Sequence, residues 1–211
     1  MKRPRLVFAG VLLVAIGALA VWRFWPSTSA GPTLPAGQSL DVAQLEALAP
    51  LPPFALERAG TVLTPAELRG RWAFFFFGYT NCPDACPATL GVLSHVQEAL
   101  RAQGIEAPRI VFVSLDPQRD TPELLARYTE AFGADTIGAT GSDAALQPLV
   151  SFFGIAFERK DQVDKVNYTV DHTTNFFLVT PDGRWLATFA PADDAEAVLD
   201  DTLKLIRMPL P

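Results

Sequence analysis

A mixed α/β fold is predicted by three features of this chain. Phe74-Phe75-Phe76-Phe77 is apolar on both faces, as a strand must be in the middle of a sheet covered by helices on both sides. Arg109 to Leu115 is a second, β-branched apolar run, and between the two runs Leu90, Leu93, Val96 and Leu100 recur at helical spacing. Strand, helix and strand with a crossover of this length make a right-handed, parallel β-α-β unit.

The remaining elements follow from turn and capping signals. Asp41 to Ala49 has the composition of one short helix, stopped by the Pro50 to Pro53 cluster. A hairpin around Ala59-Gly60 joins Phe54 to Arg58 with Thr61 to Leu63, and Thr64-Pro65-Ala66-Glu67 is a capping box that starts a short helix to Arg69. Gly78 ends the central strand, and Gly104 ends the helix Ala88 to Gln103. Thr121-Pro122-Glu123 opens a helix closed by Gly133, Thr136 to Thr140 is a short strand, and Ser142 caps a helix to Phe153 that Pro148 should bend. A run of antiparallel character comes next: Ile155 to Lys160, Val166 to Val170, Asn175 to Thr180, the turn Pro181-Asp182-Gly183, and Trp185 to Ala190. Ala195 to Ile206 is a last, covering helix. This order is that of a thioredoxin-like domain with an N-terminal hairpin and an inserted β-hairpin.

Ahead of that domain, over residues 50–211, the chain changes character. Lys2, Arg3 and Arg5 precede the uncharged stretch Leu6 to Trp22, which at about 1.5 Å per residue spans roughly 26 Å, close to a bilayer core. Trp22 and Trp25 suit the interface, Arg23 can snorkel, and the basic start places the rest of the chain outside the cytoplasm. Residues 1–25 are therefore expected to be a single membrane anchor at the cell membrane, with the domain on the periplasmic side. A signal peptide cleaved near Ala18-Leu19-Ala20 is the alternative. Residues 26–49 read as a spacer, rich in Pro, Ser, Thr and Gly up to Ser39. Of 17 Lys+Arg and 23 Asp+Glu, residues 1–25 hold four basic and no acidic residues, so the exported part carries a net −10. That charge excludes nucleic acid as a partner and suits a cation or a basic protein surface.

Both cysteines of the chain, Cys82 and Cys86, lie just after the central strand. Pro87 fits the first helical position, where its missing N–H costs nothing, so Cys82 to Cys86 is expected to form a tight loop capping the next helix. Partial positive charge there stabilises a thiolate, and at least one cysteine should have a lowered pKa. A plain structural disulfide is the bland alternative.

The chain has two histidines. His172 stands just before the strand Asn175 to Thr180, which in a thioredoxin-like sheet lies beside the cysteine-bearing strand, so it can reach the thiols. His95 falls on the helix after the cysteines as a surface or packing residue. Two thiolates and one imidazole make a three-donor soft site. Structural zinc usually wants four ligands, whereas copper(I) accepts three and copper(II) takes the same set with a weak addition. Asp116 or Asp171 would complete the site or orient the imidazole from behind. With Met1 and Met208 as the sole methionines, a methionine-rich copper carrier is excluded.

Three segments in this order, Gly78-Tyr79-Thr80-Asn81-Cys82-Pro83-Asp84-Ala85-Cys86-Pro87, Ser114-Leu115-Asp116-Pro117-Gln118-Arg119-Asp120-Thr121-Pro122 and Asp171-His172-Thr173, resemble the Sco (SenC/PrrC-like) family of cytochrome c oxidase assembly proteins. The resemblance covers roughly residues 50–207. It implies a membrane-anchored copper metallochaperone that binds the metal through Cys82, Cys86 and His172 and helps build the binuclear copper centre of oxidase subunit II. A further copper carrier and a thiol reductant are implied as partners. The alternative is a thiol–disulfide oxidoreductase using Cys82 and Cys86 to reduce the copper-site cysteines of that subunit. Against a general thioredoxin role stand the three residues between the cysteines, the absence of proline before Asn175, and His172 where substrate would lie.

Overall fold

The computed structural model describes residues 38–160, 167–191 and 194–210, together with 32, 34 and 35. The expected membrane anchor lies outside the described residues, as do residues 26–31, 33, 36 and 37 of the spacer. Among the described residues no helix is long and apolar enough to cross a membrane.

The elements in chain order are β1 (Ala43–Pro50), β2 (Leu56–Arg58), β3 (Thr61–Leu63), α1 (Pro65–Leu68), β4 (Ala73–Gly78), α2 (Ala85–Ala102), β5 (Arg109–Ser114), α3 (Pro122–Glu130), β6 (Thr136–Ala139), α4 (Asp143–Phe152), β7 (Phe157–Arg159), β8 (Val170–His172), β9 (Phe176–Val179), β10 (Arg184–Phe189) and α5 (Ala195–Arg207). A six-stranded sheet runs β1-β10-β9-β4-β5-β6, and β2-β3 and β7-β8 form separate two-stranded ribbons. As expected, β4 pairs parallel with β5, from Ala73 opposite Arg109 to Gly78 opposite Ser114. On its other side β4 runs antiparallel to β9, with Phe76 opposite Phe176. The mixed α/β, thioredoxin-like fold is the one the sequence predicts.

Every residue of β4 is buried, and its phenylalanines alternate between two cores because successive strand side chains point to opposite faces. Phe74 and Phe76 join Leu90, Leu93, Val96 and Leu100 of α2 and Val198 and Leu205 of α5. Phe75 and Phe77 join Leu146 and Leu149 of α4 and Leu56 and Leu63 of the β2-β3 hairpin. Edge-to-face packing of Phe74 on Phe176 and Phe189, and of Phe77 on Phe177, ties β4 to the next strands. Thr121 and Ser142 cap α3 and α4 through their side chains, whereas Thr64 occupies the N-cap of α1 without a side-chain bond.

Three expectations are corrected. Residues 43–50 form an edge strand, not a helix, with Ala43 opposite Phe189 of β10. The cause is tertiary: the fully buried carboxylate of Asp201 on α5 accepts the backbone N–H groups of Asp41, Val42 and Ala43, at 2.8 to 3.1 Å, and fixes the chain extended against the sheet. The sheet thus takes in residues expected in the spacer. Helix α2 begins at Ala85, two residues before Pro87; Pro87 still costs no bond, because the first intrahelical one is donated by Ala88 to Asp84. Finally, β8 is Val170–His172, so His172 ends a strand opposite Phe157 instead of standing in a loop.

Asp201→Ala should leave three backbone donors without their acceptor and release β1. The expected loss is at least about 2 kcal/mol of unfolding free energy. Urea denaturation checks it; an unchanged midpoint would show that β1 is held by sheet pairing alone.

Candidate metal centre

The centre is assembled where β4 stops. Gly78 is needed there: a Cβ at this position would lie 2.5 Å from Cys86 Sγ and 2.9 Å from the Phe112 ring. That close approach lets the first turn of α2 sit on the strand end, where Cys86 is fully buried and Cys82 half-buried. Both cysteines are free thiols. Cys86 N–H, one of the unpaired donors of the α2 N-terminus, donates to Cys82 Sγ at 3.4 Å, so the sulfur of the loop cysteine helps cap the helix.

His172 arrives from the other side. Because β9 runs antiparallel to β4, the residues before β9 and those after β4 share one end of the sheet. His172 Nε2 lies 3.7 Å from Cys86 Sγ, and the donor atoms of Cys82, Cys86 and His172 all lie within 4.8 Å of one another. Its Nδ1–H donates to the carbonyl of Thr173 at 2.8 Å, which turns Nε2 toward the sulfurs with its lone pair. Tyr79 meets the ring edge-on at 6.1 Å and Phe76 lies 6.4 Å away, walling the imidazole into an apolar corner.

Burial governs the protonation of the two enclosed groups. It lowers the His172 pKa, against smaller upward pulls from the Thr173 bond and the Asp171 charge. It pushes the Cys86 thiol well up, opposed by a backbone hydrogen bond at Tyr79. The expectation that a helix N-terminus would lower a thiol pKa is therefore reversed at Cys86, where desolvation outweighs the helix dipole. Without a cation, the corner favours a neutral thiol and a neutral imidazole.

The donor set suits a soft metal ion. With sulfur about 2.3 Å and nitrogen about 2.0 Å from a metal, a trigonal angle separates the two donors by about 3.7 Å, the spacing found between Cys86 Sγ and His172 Nε2.

The expected carboxylates take other partners. Asp116 is fully buried and receives hydrogen bonds from the Tyr168 hydroxyl and from Arg119. Asp171 is exposed and pairs with Lys160, since adjacent residues of β8 point to opposite faces. The imidazole is oriented by a backbone carbonyl instead, a contact with no side-chain signature in the sequence. His95 lies outside the centre, exposed on α2 and 3.1 Å from Glu196 of α5. An open groove of about 440 Å³ beside His172 is lined by Ala156, Phe157, Glu158, Asp171 and Thr173.

Comparison with known proteins gives the geometry a family. The SCO1/SenC family model matches residues 43–207. The bovine mitochondrial protein named Protein SCO2 homolog is 32% identical over 146 residues, covering 69% of this chain and 55% of that protein. This chain thus spans about half the length of that relative. Among solved structures, Arabidopsis thaliana ScoI with copper bound superposes with a TM-score of 0.71 at 29% identity, over 75% of this chain and 99% of that one. Apo Sco1 from Thermus thermophilus gives 0.71 at 32% identity, over 81% and 99%. With the motif-bearing segments inside the matched span and the fold shared along nearly the whole of both solved chains, this chain belongs to the SCO1/SenC family.

Proposed function

We propose that this chain binds copper through Cys82, Cys86 and His172 and delivers it, as cargo, to the copper site of cytochrome c oxidase subunit II. The observation that carries the proposal is the convergence of two thiols and one correctly turned imidazole nitrogen at a buried strand end. Copper is supported by the soft three-donor set and by the copper-bound Arabidopsis relative. Oxidase assembly is supported by family membership and by the three sequence segments that resemble Sco proteins. Residues 1–25 would hold the domain at the membrane, facing the compartment where subunit II presents its metal site.

In that function each residue has a defined task. Cys82 and Cys86 would give up their protons on loading, and the positive charge of the bound ion would offset the desolvation that keeps Cys86 protonated in the free protein. Thr173 keeps the imidazole in the tautomer whose Nε2 can donate. Cys82 and His172, both partly exposed, are the donors that an incoming site can displace.

A reductase reading has one observation in its favour: the two free sulfurs lie within 4.8 Å of one another, with Cys86 N–H on Cys82 Sγ. In that chemistry Cys82 thiolate attacks a partner disulfide and expels one partner thiolate. Cys86 thiolate then attacks Cys82 sulfur and frees the second, so two electrons and two protons pass to the partner as Cys82 and Cys86 form a disulfide. The raised pKa of Cys86 opposes the second step, because the thiolate is the nucleophile.

Titration of the reduced full-length chain in detergent should find one tightly held copper equivalent, with thiolate-to-copper absorption in the copper(II) form. His172→Ala should weaken binding at least about tenfold, as expected when one good ligand contact is lost, and the double Cys82→Ser/Cys86→Ser variant should abolish it. Absence of stoichiometric copper, with disulfide exchange indifferent to His172→Ala, would move the function to the reductase. Gly78→Ala should push Cys86 Sγ out of place. A chelator competition is expected to show weaker copper binding in a folded protein, and unchanged affinity would show that α2 can shift without disturbing the thiol.

A further inference from the structure

The turn after β5 touches both halves of the centre without contributing a donor to it. Leu115 N–H donates to the carbonyl of Gly78, and the turn closes on itself as Arg119 and Asp120 N–H donate to the carbonyl of Asp116. Two fully buried carboxylates project from it, Asp116 and Asp120. Asp120 reaches the cysteine loop: its Oδ2 accepts Thr80 N–H at 2.9 Å and the Ser114 hydroxyl, and its Oδ1 accepts the Thr80 hydroxyl. Asp116 reaches the histidine strand: it accepts the Tyr168 hydroxyl, and Arg119, which it also holds, donates to the Tyr168 carbonyl at 2.8 Å and stacks 3.6 Å over the Tyr168 ring. Thr80 is two residues before Cys82, and Tyr168 is four before His172.

We propose that Asp116–Asp120 is a clamp that sets the thiol-to-imidazole spacing, with Asp120 a positioning residue for Cys82 through Thr80, and Asp116 with Arg119 positioning His172 through Tyr168. Among the described residues, the clamp bonds loop and strand, separated by about ninety residues of chain, to one short segment, beside the direct contacts of Tyr79 with the Val170 backbone and the His172 ring. Its side-chain bonds are buried or part-buried, and all but the one to the Tyr168 carbonyl are made to a carboxylate, the kind of acceptor that holds geometry most firmly. Without it the cysteine loop and the imidazole would keep only the Tyr79 contacts between them, free to drift by the few tenths of an ångström that a metal bond registers. This deepens the copper proposal and rests on it for the affinity arm only.

The test compares Thr80→Val, Asp120→Ala and Tyr168→Phe with wild type in the full chain, with Asp120→Asn as the conservative rescue, since one amide oxygen can still accept Thr80 N–H and the Ser114 hydroxyl. Two quantities are read: copper affinity with its absorption spectrum, and the fraction of Cys82–Cys86 disulfide in a glutathione buffer. In that buffer oxidised glutathione accepts the two electrons and two protons the thiols lose and leaves as two reduced molecules. Thr80→Val and Tyr168→Phe should each weaken copper about tenfold, one buried hydrogen bond's worth, and shift the charge-transfer band. Thr80→Val and Asp120→Ala should also move the disulfide equilibrium several-fold, about the factor that a bond of this kind supplies, whereas Tyr168→Phe, acting on the imidazole, should leave it in place and Asp120→Asn should restore it. Wild-type copper affinity, spectrum and disulfide equilibrium in a folded Thr80→Val would overturn the clamp, as would a Tyr168→Phe variant that shifts the disulfide as much as Thr80→Val. If wild type itself takes up no copper, the copper function fails, and the disulfide equilibrium of Thr80→Val alone decides whether the loop is held by Asp120. Should Asp120→Ala not fold, Thr80→Val, which keeps the carboxylate and the Thr80 N–H bond to it, decides whether the hydroxyl bond holds the loop.

Discussion

The antiparallel pairing of β4 with β9 is the constraint on which the centre depends. It brings the C-terminal end of one strand beside the N-terminal end of the other, so that the loop leaving Gly78 and the segment entering Phe176 meet at one end of the sheet. Cysteines and histidine are about ninety residues apart in sequence, and no local structure could join them. The pairing itself is held by phenylalanines from both strands, buried on both faces and packed edge-to-face. The hydrophobic effect that builds the sheet therefore also sets the coarse position of every donor, with burial of each such ring worth about 2 kcal/mol.

Placing a thiol at that strand end has an electrostatic consequence. Cys86 is sealed beneath Gly78 and the Phe112 ring, and the same corner holds His172 against Tyr79 and Phe76. Desolvation outweighs the favourable end of α2 and drives both groups toward their neutral forms. An apolar corner discriminates among occupants: a divalent cation in place of both protons would restore charge balance and a monovalent one would leave a single negative charge, whereas a thiolate standing alone has no counter-charge. The centre is in this respect arranged against the free thiolate and in favour of the metal-bound one.

Much of this was legible in the sequence because its signals are local or periodic. The Phe74–Phe77 run, the helical spacing from Leu90 to Leu100 and the caps Thr121 and Ser142 each express one element's own physics. The approach of His172 to the thiols came from topology alone. Where the sequence misled, a distant partner decided the outcome. Asp201 on the last helix turns residues 43–50 from a helical composition into an edge strand, a tertiary override of propensity. The orienting partner of His172 is a backbone carbonyl, and Asp116 is committed to Tyr168 and Arg119. The start of α2 lies two residues earlier than Pro87 suggests because proline is tolerated anywhere in the first turn, not only at its first position.

Exposure ranks the three donors in a way that bears on how cargo could leave. Cys86 is fully enclosed by the core, while Cys82 and His172 are half-buried at its rim, with the groove of the β7-β8 ribbon open beside the histidine. A protein surface approaching from solvent meets the half-buried Cys82 and His172 before the fully buried Cys86. For the proposed delivery, this burial gradient favours release at Cys82 and His172 before Cys86. That order would also keep the buried sulfur from standing as an unpaired anion until the incoming site had taken hold, the costliest arrangement for such a corner.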